Sequence, residues 1–163
     1  MWPALIHCQE ERHHTSPRLL KAAIQQLRAR PVYLLTQSAG GIAASMIANE
    51  VDIAGLICFG YPFKHPDLPE EPRRTAHLAK VNKDFLVIQG NQDEYRCAER
   101  ARKYSLSPSI TVLGISAYHD YNDLTDAEFD KVYEAVLGFM ELGAASQAEM
   151  PNTINPEAHE TEY

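Results

Sequence analysis

At 163 residues and 18.3 kDa, the chain has room for one domain with a sizeable core but not for two of ordinary size. A composition of 45% apolar and 23% charged residues excludes extensive disorder. The net charge of −7 repels the phosphate backbone of nucleic acids, and the nearest basic grouping, Arg73–Arg74 with Lys64 and Lys80, is too sparse to override it.

The first fourteen residues, MWPALIHCQEERHH, hold an apolar run too short for a signal peptide, with no basic region before it. Residues 17–30 place Leu19, Leu20, Ala23, Ile24 and Leu27 at helical spacing, with Thr15 or Ser16 as N-cap and Pro17 at the first helical position. VYLLT (32–36) is a buried-strand run. After Ser38, AGGIAASMIANE reads as a helix of small residues able to pack closely on a sheet.

AGLICFG (54–60) is a second strand run, closed by glycine. The loop YPFKHPDLPEEPRR follows, where four prolines are expected to exclude regular structure. DFLVIQG (84–90) predicts a third strand, DEYRCAERARKY (93–104) a helix, and SITVLGI (109–115) a fourth strand. The last helix opens at TDAEFDKVYEAVLGFM, with Thr125 and Glu128 as a capping box and Phe129, Val132, Val136 and Phe139 or Met140 as its apolar face. Periodicity stops near Gly143, which predicts one domain over residues 1–142 and a flexible polar tail over 143–163.

Apolar strand runs alternating with amphipathic helices imply parallel strands covered on both faces, because each crossover helix must return over the sheet. The expected fold class is therefore α/β, a three-layer parallel sheet with helices on both faces. No run approaches the roughly 18 apolar residues of a membrane span, and no membrane partner is expected. Cys8, Cys58 and Cys97 form neither a Cys-x-x-Cys pair nor a zinc cluster with histidines, which fits a reducing, cytoplasmic setting. Cys58, within a strand, reads as a buried small hydrophobe. His13 and His14 are adjacent and point apart on a helix or a strand, so no metal site is expected.

In an open parallel sheet, ligands and catalytic groups gather at the carboxyl ends of the strands, where this sequence puts its polar candidates. Ser38 follows VYLLT by one residue, Asp93 comes just after FLVIQG, and His119 lies four residues beyond SITVLGI. Serine is a poor nucleophile at neutral pH unless an imidazole takes its proton and a carboxylate holds that imidazole in the correct tautomer. His65 and His77 fall ahead of the acid strand, the wrong place in chain order, so His119 is the candidate base. Asp120 and Asp123 read as solvated turn residues. The backbone N–H of Ala39, at the start of the helix, is the candidate oxyanion donor.

Thr36-Gln37-Ser38-Ala39-Gly40, with Gly41 next, resembles the nucleophile elbow Gly-x-Ser-x-Gly of the alpha/beta-hydrolase superfamily, whose triad runs in the order Ser, Asp or Glu, His. The resemblance extends through GNQDE and YHDY, over about residues 17 to 142. More narrowly, CFGYPFKHPDLPEEPRRTAHL is similar to a dienelactone-hydrolase-related family that includes a regulatory subunit of a histone acetyltransferase complex and testis-expressed relatives. The resemblance implies a serine hydrolase, esterase or thioesterase-like, acting on a small acyl substrate with Ser38, Asp93 and His119, and no cofactor. The alternative is a hydrolase-like interaction or scaffold domain impaired in catalysis, with the Gly60–Pro72 loop or the edge of strand 32–36 as its contact surface. A phosphate cradle at QSAGG has less support, since the loop lacks a lysine.

Two departures stand out. Thr36 occupies the position of the elbow's first glycine. The 37 residues before Ser38 contain no glycine, so the second oxyanion-donor loop and the N-terminal strands of the superfamily are missing. Strand 32–36 would then be an exposed sheet edge. Three explanations follow: the chain is the C-terminal part of a longer protein, which we favour; WPALIHC (2–8) fills the vacancy; or two chains form a homodimer along that edge.

Overall fold

The computed structural model describes residues 4–8, 17–27 and 31–148 of the chain. Among the described residues, five parallel strands lie side by side in sequence order: β1 (Ala4–Cys8), β2 (Val32–Gln37), β3 (Gly55–Phe59), β4 (Phe85–Gly90) and β5 (Ile110–Ile115). Helix α1 (Pro17–Gln26) joins the first two strands, and α2 (Ala39–Ile47) with a 3₁₀ turn at Ala48–Glu50 joins β2 to β3. The one-turn helix α3 (Pro72–Thr75) and a 3₁₀ turn at Leu78–Lys80 precede β4, the one-turn helix α4 (Ala98–Ala101) precedes β5, and α5 (Asp126–Ala148) follows it.

Alternation along the strands divides the core in two. Leu34, Leu56, Cys58, Phe85 and Val87 face one layer, where Leu20 and Ile24 of α1 and Ala44 and Ile47 of α2 meet them. Ile57, Leu86, Ile88 and Ile115 face the other, against Val132, Val136 and Phe139 of α5. β4 is buried at every residue, as a central strand covered on both faces must be. At the outer edge, Arg102 and Lys131 donate to the Val112 and Gly114 carbonyls of β5, capping groups that a further strand would otherwise use. Among the described residues no helix is long and apolar enough to cross a membrane.

Ala4–Cys8 pairs with β2 from Ala4↔Val32 to Cys8↔Thr36. The edge expected on strand 32–36 is thus closed by the chain's own first strand. This corrects the expectation of an open edge and of a homodimer along it.

The helix expected over 93–104 shrinks to the single turn of α4, because Asp93 is drawn into a side-chain–backbone turn with Tyr95 and Arg96 takes φ 113°, outside any helix. The proline-rich loop is not wholly irregular either, since Pro72 starts α3, at the helical position where proline costs nothing. In α1, Leu20 and Ile24 are buried while Leu19 and Ala23 face outward; the N-cap candidates and residues 28–30 lie outside the described residues.

The Glu128 N–H does donate to Thr125 Oγ1 (3.3 Å) at the start of α5. Phe129, however, sits at the flank of the buried stripe in the first turn. It is 58% exposed and stacks on Tyr133, one turn along. The helix continues through Gly143 to Ala148, so the first residues of the expected tail are helical; 149–163 lie outside the described residues.

The small residues of α2 allow it to sit close on β3. A Cβ at Gly41 would come within 2.4 Å of Cys58 Sγ and 3.0 Å of the Tyr61 ring. Gly41→Ala should lower stability by about 1–3 kcal/mol despite alanine's better helix propensity. Thermal melts should show Cys58→Ala in the same chain restoring part of the loss.

Candidate active site

Ser38 stands between the last residue of β2 and the first of α2, with φ 49° and ψ −125°, a conformation that costs an L-residue about 1–3 kcal/mol. Two backbone bonds hold the turn: the Ser38 N–H donates to Phe59 O (3.0 Å) and the Gly41 N–H to Ser38 O (2.9 Å). Thr36 fits where the elbow pattern has glycine, because its buried hydroxyl donates to Ile57 O (3.1 Å) on β3. Ala39 opens α2, so its N–H belongs to the first turn, whose donors have no partner within the helix. Gly40 and Gly41 follow in the same turn, both buried.

His119 leans back across the ends of β4 and β3. Its Nε2 is 2.9 Å from Ser38 Oγ, and its Nδ1 is 2.9 Å from Asp93 Oδ2. A carboxylate can only accept, so Nδ1–H donates to Asp93 and Nε2 is left to accept the Ser38 hydroxyl proton. Space for the imidazole comes from Gly60, at φ 60°, where a Cβ would meet His119 Nδ1 at 3.0 Å. The loops after β4 and β5 are joined by Asn91 N–H to Ile115 O (2.8 Å) and Gln92 N–H to Ala117 O (3.1 Å). Gly90 permits this approach, since a Cβ there would stand 2.3 Å from Ala117 O.

Asp93 is buried, with the Tyr95 N–H donating to Oδ1 (2.7 Å) and Gln89 Nε2 donating to Oδ2 (2.8 Å). The Tyr95 ring lies 4.4 Å from the His119 ring, tilted by 34°. Burial alone would lower the pKa of His119; the hydrogen bond and charge of Asp93, with the charges of Glu94 and Asp120, outweigh it and hold the imidazole above its ordinary value of 6.5. A cavity of about 310 Å³ opens beside His119, lined also by Glu94, Tyr118, Asp120 and Asp123. Asp120 also accepts from Asn122 within its own turn.

The sequence candidates Ser38, Asp93 and His119 are thus brought into one hydrogen-bonded line, with Ala39 next to its Ser38 end. His65 packs edge-on against Tyr95, and His77 lies elsewhere. The Arg-x-x-His segment braces the fold instead: His77 Nε2 is 2.8 Å from Ser45 Oγ, seven residues down α2 from Ser38, and the Tyr61 hydroxyl donates to Arg74 O (2.6 Å). Burial pushes the pKa of His77 down. Burial also pushes the Cys58 thiol up to about 12, as suits an inert core residue.

Among the described residues no group of three or more His, Cys, Asp or Glu side chains is placed to hold a metal; His13 and His14 lie outside them. Sequence reasoning missed Gln89, Tyr95 and the gap at Gly60. The one available signal was a glutamine at the end of the otherwise apolar strand FLVIQG.

Solved structures share this arrangement of strands and helices. An esterase of Pyrococcus furiosus matches at a TM-score of 0.64 and 14% identity, over 77% of this chain and 61% of its own. A monoacylglycerol lipase of Paleococcus ferrophilus matches at 0.61 and 14%, over 82% and 77%. The esterase domain of a Rhodothermus marinus protein matches at 0.55 and 17%, over 82% and 69%. The chain therefore spans less than two thirds of the Pyrococcus enzyme, and at these identities the likeness is one of fold. No curated protein matches. A family profile described as an alpha/beta hydrolase domain covers residues 9–137. With that match over most of its length, and with the fold of the esterases above, the chain belongs to the alpha/beta hydrolase domain family.

Proposed function

We propose that the protein is a serine hydrolase acting on a small carboxylic ester or thioester. The observation that carries this reading is the line from Asp93 through His119 to Ser38, with both bonds at 2.9 Å and the serine on a strained strand-to-helix turn. Membership of the hydrolase family and the esterase-like fold support it. The narrower kinship to dienelactone-hydrolase-related proteins, suggested by Gly60-Tyr61-Pro62 and the Arg-x-x-His segment, and a cytoplasmic setting belong to the same reading.

In this mechanism Ser38 Oγ attacks the acyl carbonyl carbon while His119 Nε2 takes its proton, and Asp93 stabilises the imidazolium as it forms. The Ala39 N–H receives the developing oxyanion. The tetrahedral intermediate collapses, the leaving alcohol or thiol takes the proton from His119, and water activated by the same imidazole then releases the acid and regenerates Ser38.

A fluorophosphonate probe should label the protein at Ser38, as peptide mass spectrometry would read. Ser38→Ala should abolish labelling and cut ester turnover by on the order of 10⁴ or more. Ser38→Gly should be equally inactive without lowering Tm, since glycine adopts φ 49° freely. Labelling elsewhere, or turnover retained in folded Ser38→Ala, would sink the proposal.

The pH profile offers a second check. Only neutral His119 can accept the proton, and its pKa is raised, so kcat/KM should be full on the alkaline side and fall as pH drops through a value above 6.5. The double variant Glu94→Gln, Asp120→Asn should move that limb to lower pH. A limb unmoved by the loss of both charges would contradict the assignment of His119 as the base.

A further inference from the structure

Gln89 is fully buried at the penultimate position of β4, and its side chain is turned toward Asp93. Its Nε2 donates twice, to Asp93 Oδ2 and to the carbonyl of Arg96, both at 2.8 Å. Its Oε1 is buried with no hydrogen-bond partner among the described residues. Reversing the amide would satisfy nothing. It would set an oxygen against a carboxylate and a carbonyl, so the two acceptors dictate the orientation. A buried amide oxygen left unsatisfied is unfavourable, and here it accompanies one bond to the Asp93 carboxylate and one to the Arg96 carbonyl.

The second of those bonds depends on an unusual turn. Arg96 has φ 113°, a region L-residues rarely enter, and its N–H donates to Asp93 O (3.2 Å). Its guanidinium reaches Glu70 Oε1 (3.0 Å), and the Tyr104 hydroxyl donates to Glu70 Oε2 (2.9 Å). Phe63 stacks on Tyr104 at 5.3 Å, and the Lys64 N–H donates to Tyr95 O (3.1 Å), tying the proline-rich loop to the acid loop.

We propose that Gln89 is a positioning residue that holds the Asp93 carboxylate on His119, and that the Glu70–Arg96–Tyr104 cluster holds Gln89 in turn by fixing the turn whose carbonyl is its second acceptor. The inference rests on the serine hydrolase reading for its catalytic meaning. It gives the loop over residues 61–71 a role: Glu70 on it, joined to Arg96 and Tyr104, braces the turn behind the acid. His119 senses the result through Asp93, beside the fixed charges of Glu94 and Asp120.

The test uses the full chain as wild type, Gln89→Met, Arg96→Ala and Arg96→Gly, with two readouts: the rate of fluorophosphonate labelling, and the His119 imidazole by NMR. Methionine preserves the volume of Gln89 without its amide. Folded Gln89→Met should label up to about 10²-fold more slowly at saturating probe, with an unchanged half-saturating concentration. Its low-field Nδ1–H signal should be lost, and its imidazole midpoint should fall toward 6.5 as the bond to Asp93 loosens. A wild-type rate and signal in Gln89→Met would overturn the proposal. So would a rising midpoint, which would mean that Gln89 only withdraws charge from Asp93.

If Gln89→Met does not fold, the pair at Arg96 decides. Arg96→Ala loses the clamp and keeps the strain, whereas glycine accepts φ 113°, so alanine should lose more of the rate and signal than glycine. A wild-type rate and signal in both variants would overturn the clamp. A wild type that shows the low-field signal but takes no probe would end the hydrolase reading while leaving the positioning of Asp93 measurable by NMR.

Discussion

The parallel register of β2 to β5 is the constraint on which the site depends. Gln37 lies opposite Phe59, Phe59 opposite Ile88, and Gly90 opposite Ile115, so the strands finish nearly level along one edge of the sheet. With strands about 4.8 Å apart, β2 and β5 are separated by roughly 14 Å, too far for a serine and a histidine to meet directly. The gap is bridged because the loop after β5 folds back over β4 and because the residue that follows β3 has no side chain. Gly60 leaves the volume in which the imidazole lies, and Gly90 lets the loop cross.

Conformational strain gathers at that same edge. Ser38, Arg96 and Tyr121 are the non-glycine residues with positive φ among those described, and each belongs to the loop after a different strand, β2, β4 or β5. Each is held by its surroundings. Ser38 is bonded through its backbone to β3 and α2, Arg96 through its side chain to Glu70, and Tyr121 through its hydroxyl to Ile88 O (2.6 Å) with its ring on Phe59. Such strain persists only where the packed structure over-determines it, and here two cores grip the sheet from opposite faces. The supports of the site are therefore β-ladders and buried side chains, joined at Arg96 by an ion pair at the surface.

The proline-rich segment shows how much of a motif's placement is left to the fold. Its prolines, its Gly-Tyr-Pro start and its Arg-x-x-His end invite a contact surface. In the fold its ends turn inward, with Tyr61 and Phe63 in the core and His77 against Ser45 of α2. The same segment sends Glu70 to the acid loop. A charged residue on a loop looks solvated in sequence, because nothing in its own neighbourhood says which distant cation it will meet.

The sequence by itself determined the order of elements, the parallel α/β architecture and the chain order Ser38, Asp93, His119, because these follow from local periodicity, turn chemistry and the placement of polar residues just after apolar runs. Several features were decided only by tertiary structure. β1 closes the edge of β2, the helix after Asp93 collapses to one turn because Asp93 and Arg96 are held in the acid loop, and Gln89 turns inward to hold the carboxylate. Each depends on contacts whose free energy is shared with residues far away in the chain, and no local pattern records a hydrogen bond whose partner is chosen by the fold.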